Sequence, residues 1–184
     1  ETKGITNVLM WIVDERHLDP LVAQMDGLSP AAKAGTIDII GAKAGKRYYE
    51  KVLASTNDSN ADVKMASFRA LKNLVGAKDI PVLLRMLESS ADPEQVKEIQ
   101  NALVQAANQI EPAQLRAKPI LEAMKSSGKQ DQIVEILPQI GGKDALQMVA
   151  ERFEKTEGNS KETAFRVLTQ WKDPEAAQKL YAIC

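Results

Sequence analysis

Pro20, Pro81, Pro112 and Pro174 stand 61, 31 and 62 residues apart, which is two, one and two steps of a unit near 31 residues. The segments around two of them agree in detail. Pro20-Leu21-Val22-Ala23-Gln24-Met25 and Pro81-Val82-Leu83-Leu84-Arg85-Met86 carry proline, aliphatics and a final methionine in the same order. A unit of this size cannot bury its own apolar face, so such a period predicts stacked units with a continuous core and a long exposed surface.

Two further marks keep the same step. Gly41-Ala42-Lys43, Gly76-Ala77-Lys78-Asp79 and Gly141-Gly142-Lys143-Asp144 each follow an aliphatic run, and Trp171-Lys172-Asp173-Pro174 takes the equivalent place without glycine. Glycine suits the left-handed residue that ends a helix, and Asp with Pro supplies the cap and first turn of the next. Each mark is therefore expected to be a helix-to-helix corner. The third mark sets Ala66-Ser67-Phe68-Arg69-Ala70-Leu71 against Thr163-Ala164-Phe165-Arg166-Val167-Leu168, offset by 97 residues or three units.

Alanine and leucine dominate the apolar residues, β-branched alternation is scarce, and the composition is that of a helical chain. With 24 basic and 25 acidic side chains the net charge is −1, so no global field draws nucleic acid or an anionic membrane. No apolar stretch approaches the ~18 residues of a membrane span. Because the sequence opens on Glu1, it is expected to be a piece of a longer polypeptide. The single cysteine, Cys184, excludes an internal disulfide and is expected in a buried stripe with Ala177, Leu180 and Tyr181.

Helical spacing predicts five pairs of helices. Ile5, Val8, Leu9 and Ile12 form one face, and Leu18, Leu21, Val22 and Met25 the next after a corner near Asp14. Ser29-Pro30 opens a helix carrying Ile37 and Ile40 to the Gly41 corner. The second pair spans about Lys46 to Ser55, around Tyr48, Val52 and Leu53, and about Asn60 to Val75, around Val63, Ala66, Ala70 and Leu74. Ile80, Leu83, Leu84 and Leu87 begin the third pair, and Asp92-Pro93 caps a helix bearing Val96, Ile99, Leu103 and Ile110. In the fourth pair Pro119 and Pro138 should each bend or end their helices, while Ile133, Ile136, Leu137 and Ile140 keep helical spacing. The fifth pair runs from about Lys143 to Lys155 and Ser160 to Trp171, with Trp171 on the inner stripe, and a half unit follows from Pro174.

An Asp-Pro or Asp-x-Pro opening, an aliphatic first helix, a short loop and a second helix ending in Gly resemble HEAT-like repeats of the armadillo type. The resemblance covers nearly the whole chain. It implies an all-α, right-handed α-α superhelix, a solenoid of about five stacked hairpins, with residues 1–184 as one repeat domain. In that family the second helices line the concave face. Carried over, this places Lys64, Lys72, Lys97, Asn101, Gln105, Gln132, Glu135, Arg166 and Gln170 on a candidate binding face. The chain is also similar to HEAT-like segments of exported bacterial multidomain proteins that carry a domain resembling 3-keto-disaccharide hydrolases. That likeness implies a non-catalytic scaffold accessory to a carbohydrate-processing domain, in the periplasm or at the cell surface.

Catalytic motifs are absent from the sequence. His17 is the only histidine and lies beside Asp14 and Glu15, where an ordinary surface role is expected, with no metal or cofactor. Gly41-x-x-x-Gly45-Lys46 lacks the hydroxyl residue and preceding strand of a P-loop. Lys43, Lys46, Arg47 and Lys51 cluster with Tyr48 and Tyr49, but Glu50 interrupts them and Arg85 alone continues the charge before Glu88, which favours a solvated face over a nucleic-acid site. The expected partner is a protein or a neighbouring domain of the same chain, without nucleic acid or membrane insertion. The alternative from another class is an enzyme, either a HEAT-like nucleic-acid glycosylase or a bilin-lyase-like protein. Val8, Trp11 and Ile12 at one end and Leu180, Tyr181 and Ile183 at the other lack a stacking neighbour in the sequence, so end-to-end self-association is expected as an effect of excision.

Overall fold

The computed structural model describes Asp14 and residues 17–171, and every regular element among them is helical. In chain order the α-helices are α1 (Leu18–Gln24), α2 (Pro30–Ala42), α3 (Tyr49–Ser55), α4 (Ala61–Leu74), α5 (Ile80–Ser89) and α6 (Pro93–Ala107). They continue as α7 (Lys118–Met124), α8 (Gln130–Val134), α9 (Leu137–Ile140), α10 (Lys143–Lys155) and α11 (Gly158–Thr169). Short 3-10 turns follow α1 and precede α3, α5 and α7. The all-α class is thus what the described chain adopts, and no helix among the described residues is long and apolar enough to cross a membrane.

Packing divides the chain into two units, the first formed by residues up to Val75 with Asp92–Ala102, the second by Gly76–Ala91 with the chain from Leu103 onward. In the first unit α2 packs most extensively on α4, with α3 also against α4 and α1 against α2. Leu18, Met25, Ile37, Ile40, Val52 and Leu71 are fully buried there. Caps fix where its helices start: the Ser29 Oγ accepts from the Ala32 amide at 3.4 Å, and the Asn60 Oδ1 accepts from Asp62 and Val63 at 3.0 and 3.2 Å. Asp92 does the same for Glu94 and Gln95 at 2.8 and 3.1 Å, with Pro93 in the first helical position.

In the second unit α10 packs on α11, and α8 and α9 also lie against α11. Leu83, Leu87, Ile120, Ile133, Leu137 and Leu168 are fully buried. One polar node ties three of its helices. Arg152, with 13% of its side chain exposed, donates to Gln130 Oε1 and Asp131 Oδ1 at 2.7 Å each, and Ser160 Oγ donates to Asp131 Oδ2 at 2.9 Å. The opposite charges of Arg152 and Asp131 meet directly, the condition under which burying charge is tolerated, while the Arg152 Nε is buried without a hydrogen-bond partner.

Several expectations from the sequence are corrected. Gly41 is no left-handed corner: it lies inside α2, buried, and Ala44 takes the positive φ of 50° instead. Gly76 is extended, with its amide donating to Asp79 Oδ2 at 2.7 Å, so it begins a turn and does not end a helix. Gly141 and Gly142, at φ 78° and 98°, do take the left-handed corner. Pro119 does not kink a helix from within, whereas Pro138 does mark the expected break in its helix. Each sits in the first turn of a new helix, α7 and α9, where a missing N–H costs nothing, and the second helix of that pair is split into α8 and α9.

Side-chain phases shift in a few places. Tyr49, not Tyr48, turns inward beside Val52, because the 3-10 turn at Lys46–Tyr48 advances the rotation by about one residue before α3 begins; Leu53 is half-buried. Leu21, Leu84, Val96 and Trp171 are also half-buried, and Ile110 lies beyond the end of α6. The expected faces around Ile5 to Ile12 and Ala177 to Cys184, the fourth proline Pro174 and both expected end flanks lie outside the described residues.

The reason for glycine at position 41 is steric. A Cβ built there would lie 2.8 Å from both the Cα and the Cβ of Ala70, so α2 and α4 touch backbone to backbone. In an isolated helix Gly to Ala gains about 0.5–1 kcal/mol. Here Gly41→Ala should instead destabilise by about 1–3 kcal/mol, the usual cost of overpacking. Urea melts check this, and a stabilised variant would contradict the contact. In the same melts Leu71→Ala, Leu103→Ala and Leu168→Ala, all at fully buried positions, should each cost about 2–5 kcal/mol, against about 0.5 for a surface site.

Candidate functional site

The residues expected on a binding face fall in both units. In the first, Lys64, Lys72 and Asn101 are half-buried and Lys97 is exposed; Asn101 donates to Glu98 Oε2 at 3.3 Å. In the second, Gln105, Arg166 and Gln170 are exposed and Gln132 and Glu135 half-buried. Of these residues, Glu135 and Arg166 are brought together: the guanidinium Nη2 donates to Glu135 Oε1 at 2.7 Å across 31 residues of sequence.

The first unit holds a second pair of the same kind, which sequence reasoning left out of the face. Arg69 Nη2 donates to both carboxylate oxygens of Asp38 at 3.1 and 3.2 Å, again across 31 residues. Asp38 and Glu135 are 97 residues apart, as are Arg69 and Arg166. The signal was present in the echo around Phe68 and Phe165; what it could not reveal was the acid one unit upstream. Close by, Asn73 Nδ2 donates to the Gly41 carbonyl at 3.0 Å, so a polar contact flanks the Gly41–Ala70 approach. Arg69 and Arg166 are about half exposed. In that setting each pair contributes only about 0.2–1 kcal/mol, and its main effect is to neutralise the face.

Arg47, Lys51 and Tyr48 of the basic and aromatic cluster are engaged within the first unit. Arg47 reaches Asp19 at 3.3 Å and lies 4.8 Å from the centroid of the Tyr48 ring. The Tyr48 hydroxyl donates to the same Asp19, and Lys51 Nζ meets Asp26 Oδ2 and the Val22 carbonyl at 3.1 Å each. Partial desolvation, then the bond to Asp19, pushes the Tyr48 phenol above its ordinary value. These contacts fasten the turn before α3 onto α1, and Tyr49 is buried, so the rings offer no open stacking platform. His17 is exposed at the start of α1, and no group of three His, Cys, Asp or Glu residues suited to a metal ion occurs among the described residues.

Phe68 and Phe165 occupy the same position of the echo in different surroundings. Phe68 is 4% exposed and Phe165 is 43% exposed, its ring tilted by 40° against that of Phe153 at 5.9 Å between centres, and Lys161 Nζ lies 4.7 Å from the Phe153 ring centre. Compared with known proteins, the chain matches no protein-family model and no curated protein.

The loop between α3 and α4 is held by charge. Lys33 Nζ donates to Asp58 Oδ2 at 2.7 Å, and the Asn60 amide to Asp58 Oδ1 at 2.9 Å. The bond from Lys33, and then that from Asn60, lower the Asp58 carboxyl below its ordinary value. A depressed carboxyl stabilises the fold above the unfolded value near 4 and loses that contribution as pH falls through the folded one. Melting temperatures between about pH 5 and 2.5 should therefore fall more steeply for the parent than for Asp58→Asn. Parallel curves would show that the loop gains nothing from this carboxylate.

Proposed function

We propose that the chain is a non-catalytic, HEAT-like scaffold domain that binds a protein surface along its second helices. In the wider reading it is an accessory region to a carbohydrate-processing domain of a longer exported protein, and its hairpins stack into a right-handed superhelix. The observation that carries the reading is the carboxylate–arginine pair made twice, Asp38 with Arg69 and Glu135 with Arg166, at one separation of 31 residues. Further support comes from the pairing of α3 with α4 and of α10 with α11, each joined by a short loop as in a helical hairpin. In each unit the charged pair stands among amides, Asn101 in the first and Gln105, Gln132 and Gln170 in the second, while Lys64, Lys72 and Lys97 add positive charge to the first. Such a surface suits hydrogen bonding to another polar surface, and it offers little to a row of phosphates.

The enzyme reading is tested against it by gel shift with duplex and single-stranded DNA. At about 0.15 M salt the chain should leave both free, since few phosphates can be neutralised together. Tight, salt-sensitive binding that is lost in Lys46→Ala/Arg47→Ala would overturn the scaffold reading in favour of a nucleic-acid enzyme.

A further inference from the structure

Within the second unit, α7 and α10 run side by side with a trough between them. Two hollows of about 330 and 230 Å³ adjoin there, with Lys125, Met148 and Glu151 lining both. The early residues Lys118 and Glu122 line the trough with Asp144, the late residue Met124 with Arg152 and Lys155, so the helices run in the same direction.

The two ends differ in character. Toward the helix C-termini the lining is mainly apolar, with Met124 and Met148 beneath, and three cations, Lys125, Arg152 and Lys155, stand against one carboxylate, Glu151. Toward the N-termini Glu122 and Asp144 stand against Lys118. Internal pairing takes up part of the basic end: Arg152 is bound to Asp131 at 2.7 Å and Lys155 to Glu151 at 2.9 Å. Lys125 is exposed and forms no ion pair among the described residues. An unspent cation therefore overhangs an apolar floor.

We propose that this trough binds a short extended peptide of a partner protein, with a bulky apolar side chain on the Met124–Met148 floor and an adjacent carboxylate on Lys125. Methionine floors adapt to apolar side chains of different shape, and an anchor in a pocket beside a charged rim is the usual arrangement of a peptide contact. The stretch from Lys118 to Lys125 is about 10 Å long at 1.5 Å per helical residue, enough for about three extended residues. A carboxylate fits the basic end, and the acidic end disfavours a second one. The trough is built chiefly from α7 and α10 and meets α8 only at Gln130; none of its lining residues belongs to the paired face of the proposed function, and it stands independently of that reading.

The test uses the chain labelled with ¹³C at its six methionine methyls. Titration with the peptide acetyl-Leu-Phe-Glu-amide should shift the Met124 and Met148 signals saturably and leave those of Met25, Met65 and Met86 in place. The peptide with Lys in place of Glu should bind about tenfold more weakly, and Lys125→Glu, at an exposed site, should reverse that preference. No saturable shift of the two methyls at millimolar peptide, equal affinity for both peptides, or an unchanged preference in Lys125→Glu would overturn the proposal. So would shifts of the same two methyls on raising protein concentration without peptide, which would assign the trough to a second copy of the chain.

Discussion

The approach of Gly41 to Ala70 governs the first unit, because two helices can come this close only where one side of the crossing has no side chain and the other nothing larger than a methyl. With α2 and α4 that close, Asn73 reaches the Gly41 carbonyl and Arg69 reaches Asp38, while the large side chains Ile37, Ile40 and Leu71 are fully buried around them. The residue 97 positions after Gly41 is Pro138, and there the second unit departs from the first: the helix breaks, and α8 and α9 meet α11 as two short pieces. The Glu135–Arg166 pair forms all the same. One contact pattern is thus reached by a smooth helix with glycine and by a broken helix with proline.

Several charges among the described residues are paired locally, within one unit. Arg47 and Lys51 hold the 3-10 turn and α3 to the residues of α1 and its following turn, Arg152 joins α8, α10 and α11, and Lys33 closes the loop before α4. Such local pairing leaves little net field to steer a partner from a distance. Recognition then depends on shape, hydrogen bonding and apolar anchors, which agrees with a scaffold that meets protein surfaces and with a methionine-floored trough as a separate contact.

What the sequence made legible were the features that act over a few residues. Ser29 and Asp92 cap helices as read, and the apolar stripes of α4 and α9 point inward, because caps and stripes depend on local spacing alone. Gly41 was misread because a glycine after an aliphatic run signals a helix end as well as a close crossing, and only the position of Ala70 decides between them. Tyr48 and Tyr49 were exchanged because a 3-10 turn changes the phase by an amount that the sequence does not mark. On the candidate face, Arg166 and Glu135 were found, whereas Asp38 and Arg69 were passed over, since a salt bridge across 31 residues is visible only after folding. The trough beside α7 was not legible at all, because it is a gap between two helices separated in sequence by α8 and α9.

The most direct measurement is a nuclear Overhauser spectrum of the labelled chain, read at the Gly41 α-protons. Atoms as close as this crossing requires give a strong cross-peak between those protons and the Ala70 methyl, as the account predicts. If that cross-peak is absent while other cross-peaks between α2 and α4 are seen in the spectrum, the two helices do not meet at Gly41 and the account of the first unit is wrong.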